Sequence, residues 1–189
     1  MKQVLCILLS ACILFSLGGC RSSGLHNGSA TVATTVSTTA TTIPEPTRQP
    51  HIQLEFFLEG MTEYQNATLF AGNGYSLYIP DDNWVMSSGE NGEMAWTSGY
   101  NPDIVFKVIP NAGATYAQAR DALFQGYTNL AEEGEYIYGH NEALQMFRAA
   151  RLIETPNGIL AAVWNYTLEA AEGFGARLRV VAGTLEPTH

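Results

Sequence analysis

Residues 147–168 read FRAARLIETPNGILAAVWNYTL, which is two apolar runs joined by the turn Thr-Pro-Asn-Gly. The Asn157-Gly158 pair favours a tight hairpin, because both residue types readily adopt a positive φ. The second run is apolar on both faces, with Ile159, Ala161 and Val163 on one and Leu160, Ala162, Trp164 and Leu168 on the other. A strand of this kind is covered on both sides, so the run predicts the central strand of a sheet.

Further strands are predicted on the N-terminal side of this hairpin, where apolar and polar side chains alternate. They lie at residues 52–56, 67–70, 75–79, 83–86, 94–97 and 103–109. The sequence SGENG at residues 88–92 is typical of a turn, so the strands on either side of it are expected to pair as a hairpin. Hairpin connections of this length join antiparallel strands.

Two segments at distant points in the chain have helical periodicity. Thr115 begins the first with a capping box, and apolar residues then recur at helical spacing until Gly134. The second segment has one apolar stripe, formed by Phe174, Leu178, Val181 and Leu185. Two helices among hairpin-linked strands predict an α+β fold, in which a mostly antiparallel sheet carries helices on its faces as an α/β/α sandwich.

Residues 21–50 differ in composition from the rest of the chain. They are rich in threonine, serine and proline, and the run STTATT at residues 37–42 is one example. Such a segment cannot bury a core, so residues 20–50 are expected to form a disordered tether. Residues 51–189 are enough for one self-sufficient α+β domain.

The chain begins with the three parts of a secretory signal: a positive start, an apolar stretch at residues 4–17 that is too short to span a bilayer, and the sequence LGGC at residues 17–20. The last motif resembles the lipobox of bacterial prolipoproteins. That resemblance implies that residues 1–19 are removed as a lipoprotein signal peptide. It also implies that Cys20 is lipidated and anchors the protein, outward-facing, to the cell membrane through its acyl chains. The alternative is an ordinary secretory signal with a chance cysteine.

Charge and cysteine content exclude several classes of function for the predicted domain. It has 17 acidic and 6 basic residues, a formal charge of −11, which argues against nucleic acid as a partner. The cysteines are Cys6, Cys12 and Cys20, all of which precede the predicted domain at residues 51–189, so the domain has no thiol chemistry and no Cys-ligated metal. We expect no cofactor.

Candidate ligand-binding residues are Trp84, Trp96 and Tyr100, because exposed aromatic rings bind sugars and peptides by stacking. Tyr100 lies in a Gly-Tyr-Asn-Pro loop. The two tryptophans lie in strand patterns at positions that suit the core equally well, so core packing is their alternative role.

Other polar groups have structural interpretations. Asp81 and Asp82 follow Pro80 and are expected to form a turn rather than a calcium site, since the spaced ligands of a calcium loop are missing. Three glutamates, Glu132, Glu133 and Glu135, are expected to form a solvated face at the end of the first helix. His140 is expected in a loop. No motif of a known catalytic triad or zinc hydrolase is present in the sequence.

Two resemblances bear on identity. The sequences EGMTE (59–63), GYSLYIP (74–80) with Trp84, and EAAEGFGARL (169–178) with Thr184 are similar to motifs in uncharacterised lipoproteins of Gram-positive gut bacteria. The GYSLYIP strand also resembles the opening hairpin of PsbP-like domains. The second resemblance implies an α/β/α sandwich that serves in binding and assembly.

These features predict a membrane-anchored, extracytoplasmic lipoprotein whose domain binds an extracellular protein, peptide or glycan and is not an enzyme. The alternative is a small cell-envelope hydrolase that uses paired carboxylates. Such a pair is set by the fold rather than by sequence spacing, so the sequence leaves this alternative open.

Overall fold

The computed structural model describes residues 48–188. The predicted signal peptide, Cys20 and most of the predicted tether lie outside the described residues, so these remain predictions. Within residues 48–188, no helix combines the length and apolar character needed to cross a membrane.

The described residues form strands and two α-helices. In chain order the strands are β1 (His51–Leu58), β2 (Met61–Gly72), β3 (Tyr75–Pro80), β4 (Trp84–Ser88), β5 (Met94–Ser98), β6 (Val105–Ile109), β7 (Thr128–Glu133), β8 (Tyr136–Asn141), β9 (Met146–Thr155), β10 (Gly158–Thr167) and β11 (Glu186–Pro187). The helices are α1 (Tyr116–Leu123) and α2 (Ala176–Gly183). Shorter 3₁₀ or π turns cover Glu90–Gly92, Leu168–Ala170 and Ala171–Gly175.

The strands form two antiparallel sheets. One has the order β1-β2-β3-β11 and the other the order β4-β5-β6-β10-β9-β8-β7. The α+β class with mostly antiparallel strands is therefore confirmed, and so is the hairpin of β4 and β5. The difference from the prediction is that a second sheet, and not helices alone, covers part of the larger sheet.

β10 lies at the centre of the seven-stranded sheet, between β6 and β9. Leu160, Ala162 and Trp164 pack in a core that includes α2 and the four-stranded sheet. The other face of β10 packs in a second core beneath α1, through Ile159, Ala161 and Val163. The prediction that both faces are covered is thus confirmed for these six residues. It is wrong for Leu168, which is 67% exposed because the chain turns into a 3₁₀ helix there.

The first helix is shorter than its periodicity predicts. It begins after Thr115, whose side chain accepts a hydrogen bond from the Gln118 N–H as predicted, but it ends at Leu123 instead of Gly134. Residues 128–133 pair with β8 and form β7. Hydrogen bonding to a neighbouring strand has overridden the local helical pattern. The Arg148 guanidinium donates to the Leu123 carbonyl and so fixes the end of α1 to β9.

The acidic cluster is exposed, as expected for a solvated face, but it also joins separate elements through ion pairs. It lies on β7 and at the start of the turn into β8, and each carboxylate contacts an arginine of a different element. The pairs are Glu132 with Arg120 of α1 at 3.5 Å, Glu133 with Arg179 of α2 at 2.9 Å, and Glu135 with Arg151 of β9 at 2.9 Å. The loop prediction for His140 is also wrong. Its ring lies on β8 and stacks on Phe147, with the ring centroids 4.5 Å apart.

Residues 48–50, which the composition places in the tether, contact the folded domain. The Arg48 guanidinium donates to the Ser76 carbonyl oxygen at 3.0 Å and to its Oγ at 2.9 Å. It also lies 4.5 Å from the centroid of the Tyr78 ring, whose hydroxyl donates to the Gln49 carbonyl at 2.8 Å. The folded part of the chain therefore includes these residues.

Candidate functional site

A groove of about 290 Å³ lies between the four-stranded sheet and β4, which is an edge strand of the seven-stranded sheet. We call it the β4 groove. Its apolar lining consists of Leu69, Phe70, Ile79, Pro80, Trp84, Met86 and Trp96. Asp81 and Asp82 line it as well, at the connection between β3 and β4. An apolar groove with a few polar groups is the usual form of a ligand site.

The turn that precedes β4 shapes this groove. Pro80 ends β3, and the Thr68 hydroxyl donates to the Asp81 carboxylate at 2.6 Å. The Asp82 carboxylate accepts a hydrogen bond from the Asn83 N–H at 2.7 Å. These local bonds carry the chain from one sheet to the other and agree with the predicted turn. No cluster of three or more potential metal ligands occurs within residues 48–188.

Trp84 and Trp96 meet in the groove but differ in burial. Trp96 is 4% exposed and packs edge-on against Phe70, with the ring centroids 5.0 Å apart, so it forms the floor. Trp84 is half-buried, and its buried Nε1 has no hydrogen-bond partner in the described part of the chain. Core packing, the alternative role for both tryptophans, thus accounts for most of Trp96 and for part of Trp84.

Tyr100 is 69% exposed and does not line the groove. Its backbone N–H donates to the Ser98 Oγ at 3.2 Å, which holds the loop that carries it. A side-chain hydrogen bond to Asp82, and the charge of that carboxylate, raise the pKa of the Tyr100 phenol. Because Asp82 lines the groove, the fold brings all three predicted residues to one region.

The fold adds a residue that the sequence did not single out. Met86 is 56% exposed and lines the groove, whereas its neighbour Val85 is 60% exposed and does not. Successive side chains on a strand point to opposite faces, which explains the difference. The uncharged strand sequence WVMSS was visible in the chain, but its place at a sheet edge depends on the order of strands that are distant in sequence.

Among the described residues, carboxylates outnumber basic side chains, so many carboxylates have no ion-pair partner. Six of the seven basic side chains form ion pairs, and the seventh, Arg148, donates to Asn165 and to the Leu123 carbonyl. Seven of the 17 carboxylates are therefore paired, and ten have no cation within 4 Å. The unpaired ones are Glu55, Glu59, Asp81, Asp82, Glu90, Asp103, Glu142, Glu154, Glu169 and Glu172.

The hydrolase alternative requires a carboxyl group that stays protonated near neutral pH. Arg179 has the opposite effect on Glu133: through a hydrogen bond and its charge, it lowers the pKa of that carboxyl. Glu133 is therefore suited to pairing and not to proton donation.

A second cleft, of about 360 Å³, lies at the turns between strands. Leu160 and several prolines contribute to its lining, together with four asparagines: Asn73, Asn91, Asn111 and Asn157. None of the predicted ligand-binding residues lines it, and no aromatic side chain does. It therefore lacks the stacking surface of the β4 groove.

Comparisons with known proteins give the following similarities. A family model described as "Domain of unknown function (DUF8580)" matches residues 48–110, which is 63 of the 189 residues and includes the whole lining of the β4 groove. No curated protein matches the chain. The solution structure of cyanobacterial PsbP (CyanoP) from Synechocystis sp. PCC 6803 is similar with a TM-score of 0.40 and 12% identity, over 61% of this chain and 87% of that one.

Proposed function

We propose that the protein is a membrane-anchored, extracytoplasmic lipoprotein whose domain binds an extracellular ligand in the β4 groove and does no chemistry. The observation that carries this proposal is the open apolar lining around Trp84 and Met86, with the unpaired carboxylates of Asp81 and Asp82 beside it. The apolar lining supplies binding energy, and the carboxylates and Tyr100 supply orientation. A protein, a peptide or a glycan fits this description.

We further propose that the domain is a variant of the α/β/α sandwich and that it is PsbP-like. Support comes from the placement of α1 and α2 on opposite faces of the seven-stranded sheet. The four-stranded sheet is then an addition that shares one face with α2, and it forms one wall of the groove.

The anchor is proposed on the sequence LGGC at residues 17–20. Replacing Cys20 with Ser removes the thiol that would carry the lipid. We expect Cys20→Ser to release the protein from membranes or to leave it unprocessed, as measured by fractionation of cells. Cys12→Ser, in the segment that would be removed, is the matched control and should leave the protein in the membrane. Unchanged retention of Cys20→Ser would refute the lipid anchor.

The groove is tested on the full chain in phospholipid nanodiscs, with tryptophan fluorescence as the readout. The probes are peptides, simple glycans and peptidoglycan fragments, and a ligand at about a hundred times its dissociation constant stabilises the fold by about 2.7 kcal/mol. Met86→Asp places a charge in the groove, whereas Val85→Asp places one on the opposite face of the same strand at similar exposure. We expect Met86→Asp to abolish binding and Val85→Asp to leave it intact.

A carboxylate-dependent hydrolase predicts a different result. Its substrate would be cleaved, and the loss of Asp81 or Asp82 would stop turnover while binding persists. The same peptide and glycan mixtures are therefore analysed by mass spectrometry after incubation with the wild type, Asp81→Asn and Asp82→Asn. Products that appear with the wild type and not with these variants would replace the binding proposal.

A further inference from the structure

β4 is an edge strand, and it lacks the features that usually prevent such a strand from pairing with another chain. Exposed edges are normally shielded by charged side chains, proline or a bulge, because free backbone groups attract other strands. The sequence of β4, WVMSS, has neither a charge nor a proline, and its pairing with β5 is regular throughout. At the other end of the same sheet, β7 carries Glu132 and Glu133 and has a register shift after Thr128.

The ladder with β5 determines which backbone groups of β4 are free. Its ends are marked by hydrogen bonds from the Gly99 N–H to the Asn83 carbonyl (2.7 Å) and from the Gly89 N–H to the Glu93 carbonyl (2.8 Å). Because opposed residues in an antiparallel pair alternate between bonded and non-bonded, the odd positions of residues 83–89 face β5. Met86 therefore directs both its N–H and its C=O to the open side.

The same residue presents its side chain to the groove. Met86 and Trp84 lie two positions apart on β4 and both line the β4 groove. A strand added along this edge would place every second side chain on the groove side, next to these two. Main-chain hydrogen bonds and alternating side-chain contacts would then act together, as in other cases of strand addition.

Carboxylates flank the edge at both ends. Asp81 and Asp82 precede β4 and Glu90 follows it, and all three are exposed and have no ion pair among the described residues. Every basic side chain of residues 48–188 is already engaged elsewhere. At about 3.3 Å per residue, the eight steps along the chain from Asp82 to Glu90 separate the two acidic ends by roughly 26 Å. A partner of matching charge has basic groups at that spacing.

From these features we infer that the ligand is an extended peptide segment, apolar at alternate positions and basic at both ends, which adds to β4 as a further strand. The inference rests on the proposed binding role of the β4 groove and specifies its partner. The Met86 backbone amide and carbonyl hold the segment, the groove receives its apolar side chains, and the flanking carboxylates pair with its ends.

The first test is a selection from random linear dodecapeptides displayed on phage, with the full chain in nanodiscs as bait and empty nanodiscs as the counter-selection. We expect enriched sequences with apolar residues at alternate positions and with Lys or Arg on both sides of this stretch, about eight positions apart. Their affinity should fall at high salt, because flanking charges are screened. No enrichment, or enrichment of sequences without this pattern, would overturn the inference.

The second test separates backbone from side chain. Met86→Pro removes the outward N–H but leaves the ladder with β5, since that N–H faces away from β5. Met86→Ala removes the side chain and keeps the N–H. We expect the best selected peptide to bind Met86→Pro about tenfold more weakly than Met86→Ala. In the proline variant, a carbonyl of the peptide loses the N–H of residue 86 as its hydrogen-bond partner. Equal affinities for the two variants would contradict strand addition.

If Met86→Pro does not fold, the same question is answered by modifying the peptide instead of the protein. The selected peptide is synthesised with one N-methylated backbone amide at each position in turn, which leaves the protein untouched. Strand addition predicts that methylation weakens binding at every second position only. Uniform tolerance would overturn the inference.

The two proposals fail differently. If a glycan binds in a way that Met86→Asp abolishes, while no peptide is enriched, strand addition is wrong and the binding role of the groove stands. If no probe of any class depends on Met86, both are wrong.

Discussion

The Arg48 guanidinium donates a hydrogen bond of 2.8 Å to the carbonyl oxygen of Thr184, a residue 136 positions further along the chain. The same guanidinium also bonds Ser76 and lies 3.6 Å from the Glu186 carboxylate. One side chain thus joins the first residues of the domain to β3 and to the segment after α2. Bonds that involve a charged group are stronger than neutral ones.

Loss of this contact should lower stability. We expect Arg48→Ala to reduce the free energy of unfolding by about 2 to 4 kcal/mol, because several hydrogen bonds to a mostly buried guanidinium are lost. Thermal unfolding of the full chain measures it. Arg48→Lys keeps the positive charge but loses the planar guanidinium group. Its free energy of unfolding should therefore lie between those of the wild type and Arg48→Ala. A wild-type melting temperature for Arg48→Ala would show that the contact contributes nothing.

Arg151 holds the C-terminal end of α2. Its Nη1 donates to the carbonyls of Ala182, Gly183 and Leu185 at 2.9 to 3.2 Å, groups that a helix end leaves without partners. We expect Arg151→Ala to cost about 2 to 3 kcal/mol. Glu135→Gln removes only the exposed ion partner of the same arginine and should cost less than about 1 kcal/mol. Equal losses in urea unfolding would mean that the ion pair, not the carbonyl bonds, matters.

The Tyr75 phenol is fully buried, and its hydroxyl has no partner among the described residues. Burial raises the pKa of Tyr75 from 10.0 to about 12. The unfolded chain therefore releases this proton at lower pH than the folded chain, so stability should fall by about 2 kcal/mol as the pH rises from 10 to 12.

Tyr75→Phe is the matched control. It should be as stable as the wild type at neutral pH or more stable by about 1 kcal/mol, because an unsatisfied buried hydroxyl is removed. Its stability should also fall less steeply above pH 10. Urea unfolding at several pH values measures both effects, and parallel curves for the two proteins would contradict the buried, protonated phenol.

The contact between Tyr100 and Asp82 has a spectroscopic test. The Asp82 carboxylate raises the pKa of the exposed Tyr100 phenol, so Asp82→Asn should lower that pKa towards its ordinary value. NMR titration of tyrosine labelled at Cζ follows the change directly. Asp103→Asn, in the same loop as Tyr100, serves as the control. If Asp82→Asn leaves the titration unchanged, Tyr100 is not beside the groove.

Strands with a strong local signal could be predicted from the sequence. β10 is apolar on both faces, and the structure buries both faces. β7 could not be predicted, because Tyr127 and Leu130 continue the spacing of α1 and only pairing with β8 makes that segment a strand. β8 was not predicted from the sequence, because it contains Gly139 and glycine is common in loops. A Cβ there would lie 2.7 Å from the Leu130 side chain and 2.9 Å from Phe124, so close packing requires glycine.

The candidate site was predictable by residue type and not by position. Tryptophan and tyrosine are common in ligand sites, and that preference identified Trp84, Trp96 and Tyr100. Met86 could not be singled out in this way, because methionine is also common in protein cores. Its importance arises because β4 has no neighbour on one side, and this follows from pairings between segments that are distant in sequence.

The position of Arg48 also has a mechanical consequence. β1 is an edge strand, and a pull from the N-terminal side, acting on β1 alone, would peel it from β2 one hydrogen bond at a time. Arg48 lies ahead of β1 and is fastened to Ser76 and Thr184, so the load reaches β3 and the C-terminal segment first. Several bonds must then break together. We therefore expect a force applied at the N-terminus to break the bonds of Arg48 before it can peel β1 from β2.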